Sequence, residues 1–443
     1  MKKLISILFL IFILQGASAC LNTDAIAAKP AGDQKPPPAQ SSDAQKLYSS
    51  AQKDLLQVRV LLRNGRTQSS VGSGFLIGTS NLVVTNYHVI SQIALEPATY
   101  MGEFVDTNGR RGLLELLAVD VLHDLAVVRV SRRGNGFFNV PEELPNLTQG
   151  QYLYSFGNQL DLGFVISEGA YNGIIKSGFY EELMFTGPIN AGMSGGPSVT
   201  VSGQLAGVNV SKRTDGELVS FLVPVRYLQK LLKKVAEQKK PPRDFKEIVG
   251  KQLLAHQVVM VDRLLAGPLT IKALGPYRVP VRESDQMRCW GSSTEKQDNL
   301  YTLEKISCIM QSAVFVSDQL RTSRMSISHE FVKSTELGAL RFSALAGDSF
   351  KNEKFGSHKD RQLTRPVCTE QFTDNKNLNM RAVICVRAYR KFAELYDFTV
   401  LTTTTDENMM NLLSRLDIRG VSYENGLRVS RIFLESIGRE KKP

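Results

Sequence analysis

Asn190-Ala191-Gly192-Met193-Ser194-Gly195-Gly196-Pro197 is the stretch on which the fold turns. Three glycines crowd one serine. A serine hydroxyl is a weak nucleophile at neutral pH and needs an adjacent base. Glycines on both sides allow a tight loop whose backbone N–H groups converge on one point, where they stabilise a developing oxyanion. The following residues, Pro197-Ser198-Val199-Thr200-Val201, alternate as a strand does. The serine therefore precedes a strand, not a helix.

Two segments further upstream supply its partners. One is Val83-Val84-Thr85-Asn86-Tyr87-His88-Val89-Ile90, the other His123-Asp124-Leu125-Ala126-Val127-Val128. An imidazole titrates near neutrality and can act as the base. A carboxylate on its far nitrogen fixes the tautomer and stabilises the imidazolium. His88, Asp124 and Ser194 are the catalytic candidates. His123 adjoins Asp124 but is expected to be a surface loop residue. Gly192-Met193-Ser194-Gly195-Gly196 also fits the G-x-S-x-G elbow of α/β-hydrolases. That elbow opens a helix and runs Ser, acid, His along the chain. Here a strand follows and both partners precede, which is the order of the chymotrypsin-type double barrel.

Around these segments, residues 55–230 carry short apolar runs such as Phe75-Leu76-Ile77 and Leu82-Val83-Val84, broken by Gly, Asn, Asp and Pro. Many short strands with turn signals predict an all-β architecture, a barrel or a sandwich. With 443 residues, 42% hydrophobic and 22% charged, the chain is of globular composition. A mostly disordered chain and a many-span membrane protein are excluded. The net charge is +11. It is spread along the chain and not interleaved with aromatics, so a soluble basic surface is expected and no nucleic-acid partner.

Residues 55–230 resemble the trypsin-fold serine proteases of the HtrA/Deg type. The resemblance rests on Val71-Gly72-Ser73-Gly74-Phe75, Thr85-Asn86-Tyr87-His88-Val89, Asp124-Leu125-Ala126-Val127, Gly192-Met193-Ser194-Gly195-Gly196-Pro197, Gly207-Val208-Asn209 and Phe221-Leu222-Val223-Pro224-Val225. Gly157-Asn158 resembles a family turn in which Gln159 replaces proline, and Met193 replaces the usual Asn or Asp beside the nucleophile. The resemblance implies a serine endopeptidase acting on proteins or peptides through an acyl-enzyme. Its oxyanion would be held by the N–H groups of Gly192 and Ser194, and no cofactor or metal is required. It places the primary specificity pocket at Pro188 and Ile189, with a wall near Asn209, and so implies cleavage after small or medium apolar residues. The alternative, from a different class, is an inactive protease-like scaffold that binds partners of the cell envelope. No loop resembling a PDZ carboxylate-binding site follows the protease segment.

The start, Met1-Lys2-Lys3 followed by the apolar run Leu4 to Leu14 and Ala17-Ser18-Ala19, has the form of a secretory signal peptide spanning residues 1–19. Cys20 stands at the expected cut and resembles the lipidated cysteine of bacterial lipoproteins. Residues 20–50 are expected to be a lipidated, flexible tether, followed by a protease domain at 51–240. The expected location is the bacterial envelope, periplasm-facing and anchored to the outer membrane by lipid. The rest, 241–443, is expected to be α+β. It holds Cys289, Cys308, Cys368 and Cys385. Without C-x-x-C spacing and in an exported chain, these favour two disulfides over zinc. An internal duplication is suggested by Phe315 and Phe392, each seven residues after the second cysteine of a pair. It makes Cys289–Cys308 and Cys368–Cys385 the natural pairing. The oligomeric state is not legible.

Overall fold

Twelve strands between Leu55 and Pro224 close into two antiparallel barrels of six. The computed structural model describes residues 41–176, 178–212, 219–294, 300–350, 360–405 and 407–439. The signal peptide and Cys20 expected from the sequence lie outside the described residues. Helix α1 (Ser42–Ala51) precedes the first barrel. That barrel comprises β1 (Leu55–Leu62), β2 (Gln68–Leu76), β3 (Leu82–Thr85), β4 (Tyr100–Asp106), β5 (Arg111–Asp120) and β6 (Leu125–Val130), in the order β1-β2-β3-β6-β5-β4. Helix α2 (Tyr87–Leu95) follows β3. The second barrel comprises β7 (Tyr152–Asn158), β8 (Phe164–Ile175), β9 (Glu182–Phe185), β10 (Pro197–Thr200), β11 (Leu205–Lys212) and β12 (Ser220–Pro224), in the order β10-β11-β12-β9-β8-β7. The strand expected after the Ser194 loop is β10, and closure leaves neither sheet with a free edge.

Helix α1 corrects the expected tether, which ran to residue 50. Ala44, Leu47 and Ala51 recur at helical spacing and are buried with Phe138, Leu205 and Leu228. Three small or aliphatic side chains on one face suffice to hold a ten-residue helix that its polar composition disguises.

After α3 (Val225–Glu237) the chain continues into α4 (Phe245–Leu264). A seven-stranded antiparallel sheet then forms in the order β15-β16-β19-β23-β22-β21-β20. Its strands are β15 (Met287–Thr294), β16 (Tyr301–Met310), β19 (Arg324–Ser334), β20 (Val367–Asp374), β21 (Asn379–Ala388), β22 (Tyr396–Thr404) and β23 (Met410–Val421). Strands β13 (Thr270–Leu274) and β14 (Tyr277–Val281) pair with the short β24 (Gly438–Arg439), and β17 (Val314–Ser317) with β18 (Leu320–Thr322). Helices α5 (Ala339–Ser349) and α6 (Tyr423–Ser436) complete the α+β half. Cys289 faces Cys308 across β15–β16, and Cys368 faces Cys385 across β20–β21; both pairs are disulfide-bonded. The two cystine hairpins occupy opposite edges of the sheet.

The boundary expected at 240/241 is not a break in packing. Val249 and Leu253 of α4, Val314, Val316 and Leu320 of the β17–β18 hairpin, and Tyr389 and Phe392 share one core with Leu56, Val83, Val89, Ile90 and Val128 of the first barrel. The described residues from Ser42 onward form one compact unit. Each fully buried aliphatic side chain is worth about 1.5–3 kcal/mol, so the C-terminal half contributes directly to the first barrel's stability.

Candidate active site

The turn between β5 and β6 and the start of α2 build the acid–base pair together. Asp124 sits in the turn at φ +53°, a left-handed conformation that Asp tolerates better than most residues. Its carbonyl accepts from Tyr87 N (3.1 Å) and Asn86 Nδ2 (2.7 Å). Its Oδ1 accepts from His88 N at 2.8 Å, at the positive end of α2 where a carboxylate is favoured. That leaves Oδ2 at 2.6 Å from His88 Nδ1. Nδ1–H donates to the carboxylate, so Nε2 carries the lone pair that accepts a proton. From the other side, Gln252 of α4 donates through Nε2 to Val119 O and accepts from Val121 N, both at 2.8 Å. The C-terminal half thus pins the strand end that leads into Asp124. Burial by itself lowers the His88 pKa. The Asp124 charge and hydrogen bond, with Asp318 adding, outweigh burial and the Arg321 charge, so His88 titrates above its ordinary 6.5.

The Ser194 loop is held by both barrels. Ser73 N donates to Ser194 O (2.8 Å) and Ser73 Oγ to Gly192 O (2.6 Å), while Asn158 N donates to that same Oγ (2.8 Å). Gly195 N donates to Asn209 O, and Asn209 N to Gly196 O, both at 2.9 Å. Gly192 has φ +90° and Gly195 +86°; a Cβ on Gly192 would lie 2.3 Å from Asn158 O, so only glycine fits there. Among the described residues, neither Gly192 N–H nor Ser194 N–H has a backbone acceptor. The Ser194 hydroxyl donates to Val210 O at 3.2 Å. The structure therefore assembles the His88–Asp124 pair and the Ser194 loop. It turns the hydroxyl toward Val210, and no hydrogen bond joins it to His88 among the described residues.

The three residues expected at the specificity pocket occupy different environments. Pro188 is exposed. Ile189 is 2% exposed and packs with Leu153, Phe185 and Met193 in the second barrel's interior. Asn209 is fully buried, and its side chain is consumed by four bonds. Its Oδ1 accepts from Ser155 Oγ and Ser198 Oγ, each at 2.7 Å; its Nδ2 donates to Phe156 O (2.9 Å) and Met193 O (3.2 Å). It is a bridge that holds the nucleophile loop. Met193, which the sequence marks as a departure, is buried in the same apolar cluster as Ile189.

A cavity of about 590 Å³ adjoins His88 and Asp124. Val210 and Phe221 of the second barrel line it, as do Arg288, Phe315 and Arg321 of the C-terminal half. His123, expected at the surface, lines it too. Its Nδ1 lies 2.7 Å from Asp120 Oδ2 and its ring stacks on Tyr227 at 3.7 Å. Beyond it, Tyr180 Oη meets His256 Nδ1 at 2.8 Å; burial, with the charges of His123 and Arg263, lowers His256 to about 4 and keeps it neutral. Glu182, also on the wall, escaped sequence reasoning. Burial, helped by the Asp124 charge, raises its carboxyl to about 7. The role of Ser73 escaped it as well, although that residue stands inside a quoted motif.

The double barrel has the architecture of trypsin-like peptidases, and residues 72–208 match the family model of the trypsin-like peptidase domain. The segment is similar to serine proteases of the HtrA type. It is 29% identical over 180 residues to the mitochondrial serine protease HTRA2 of Drosophila pseudoobscura pseudoobscura, covering 39% of this chain and 40% of that protein. It is 28% identical over 186 residues to the same protein of Drosophila erecta, covering 40% and 42%. The chain spans about two fifths of the length of these curated relatives. Among solved structures, a serine endoprotease from Yersinia pestis aligns at 24% identity and TM-score 0.38, over 45% of this chain and 68% of that one. Deg5 aligns at 21% identity and TM-score 0.38, over 44% and 94%.

Proposed function

We propose that this chain is an exported serine endopeptidase that cleaves proteins or peptides in the bacterial cell envelope. The observation that carries the reading is the 2.6 Å contact between His88 Nδ1 and Asp124, which leaves Nε2 as the base beside the Ser194 loop. Ser194 changes rotamer from Val210 O to His88 Nε2, gives up its proton and attacks the peptide carbonyl. The N–H groups of Gly192 and Ser194 hold the oxyanion. His88 returns the proton to the leaving amine, and water, activated by the same imidazole, releases the acyl group. Residues 1–19 direct export, and Cys20 carries the lipid that anchors the enzyme to the outer membrane, facing the periplasm.

The test is digestion of a mixture of unfolded proteins, with new termini read by mass spectrometry. Wild type is expected to generate them. Asp124→Asn, which presents the wrong His88 tautomer, is expected to slow cleavage by roughly 10⁴-fold. Equal activity of the two would sink the assignment. A second reading, a protease-like scaffold that only binds, draws on the Ser194 hydroxyl's bond to Val210 O. It is the outcome if the wild-type protein generates no termini at all.

A further inference from the structure

The β17–β18 hairpin lies against α2, the helix that carries His88. Val314 and Val316, with Leu320 on the return strand, are buried in the core shared with Val89 and Ile90. Phe315, between the two valines, is half-buried: it packs against the rim of that core, edge-on to Tyr87, and lines the cavity beside His88. There its ring meets the His88 imidazole edge-on, with centroids 5.9 Å apart. The hairpin is fixed by Tyr87 Oη donating to Val316 O at 2.9 Å. Arg321, directly opposite Phe315 in register, places its guanidinium 5.4 Å from the Phe315 ring centre. Phe315, Arg321, His88, Val210 and Phe221 all line the same cavity.

A ring held this way does two things. It packs against the imidazole without hydrogen-bonding to it, so it does not compete for Nε2. It also offers apolar ring surface to the cavity at the edge of the reacting centre, held in place by its buried strand neighbours and by Arg321 across the hairpin. Aromatic faces pack well against aliphatic and aromatic side chains. We propose that Phe315 is a specificity-determining residue: with Val210 and Phe221 it forms an apolar subsite beside His88 that takes an aliphatic or aromatic side chain of the substrate peptide. The C-terminal half is thereby part of the substrate cleft. This proposal rests on the proteolytic reading and extends it.

The experiment uses the full chain in two parallel forms. In the first, cleavage of peptides that differ only in one side chain flanking the scissile bond (Ala, Leu, Phe or Lys, scanned position by position) is compared between wild type and Phe315→Ala. At one position, kcat/KM for Leu and Phe relative to Ala is expected to fall roughly 10-fold in the variant, with the other positions unchanged. Phe315→Leu is expected to restore most of the Leu preference. In the second form, both proteins carry Ser194→Ala, and binding of the same peptides is measured by calorimetry, which needs no catalysis. Selective loss of binding to the Leu and Phe peptides supports the subsite even if cleavage is never seen, in which case only the proteolytic reading fails. A uniform gain of activity in Phe315→Ala, meaning that the ring blocks the site, overturns the proposal. So does a uniform loss with unchanged selectivity, or no change in either assay.

Discussion

Replacing Asn209 by alanine separates a bridge from a pocket wall. The side chain is fully buried and makes four hydrogen bonds, two accepted from serine hydroxyls and two donated to backbone carbonyls. Alanine leaves Phe156 O and Met193 O without these donors. It also strands Ser155 Oγ and Ser198 Oγ, both on fully buried residues. A buried polar group left unpaired costs about 1–3 kcal/mol. Some of the four will find compensation by small rotations of the hydroxyls, so the expected loss is about 3–6 kcal/mol, a large share of the 5–15 kcal/mol typical of a domain. Because Met193 O belongs to the nucleophile loop, kcat should fall as well, with the cleavage profile unchanged. The assays are urea denaturation followed by circular dichroism, and a peptide-library digest of whatever folded protein remains. Asn209→Ala that loses less than about 1 kcal/mol while changing the residues after which it cuts would refute the bridge and restore the pocket.

Gly192→Ala should reduce kcat by about 10²-fold or more, because a Cβ 2.3 Å from Asn158 O forces the oxyanion-side N–H out of place; wild-type turnover in a steady-state assay would contradict this. His88 must be neutral to act, so kcat/KM should rise with pH through an apparent pKa above 6.5. Asp318→Asn, which removes a charge that favours imidazolium, should move that acid limb to lower pH; a limb at or below 6.5 in wild type, or no movement in the variant, tells against the geometry. Metabolic labelling with a fatty-acid analogue should mark the protein through Cys20, and Cys20→Ser should release it from membranes; a soluble, unmodified wild type would end the anchoring reading.

The parts of the fold that were legible are those written in local pattern. Glycines around Ser194, the strand alternation after it, and the order of His88, Asp124 and Ser194 point to the double barrel. The four cysteines pair across adjacent strands, as their spacing suggests. What was not legible depends on contacts between distant segments. Phe315 was visible only as a marker of repetition after Cys308; that it reaches His88 follows from the packing of Val314 and Val316 into a core built mostly by the first barrel. Asn209 falls near the primary pocket by counting along the chain, yet a register shift between Asn209 and Ser211 accompanies its turn into the interior. His123 looks like a loop residue until Asp120, three positions before it, is seen to hold its ring. Helix α1 was hidden by its polar composition, since only three of its ten side chains are buried.

Covalent labelling of Ser194 tests the central claim most directly. The full chain treated with a fluorophosphonate probe should acquire one adduct, which peptide mapping places on Ser194. Labelling should be absent from Ser194→Ala and strongly slowed in His88→Ala. No adduct on the folded wild-type protein, or an adduct that persists in Ser194→Ala, would contradict the account.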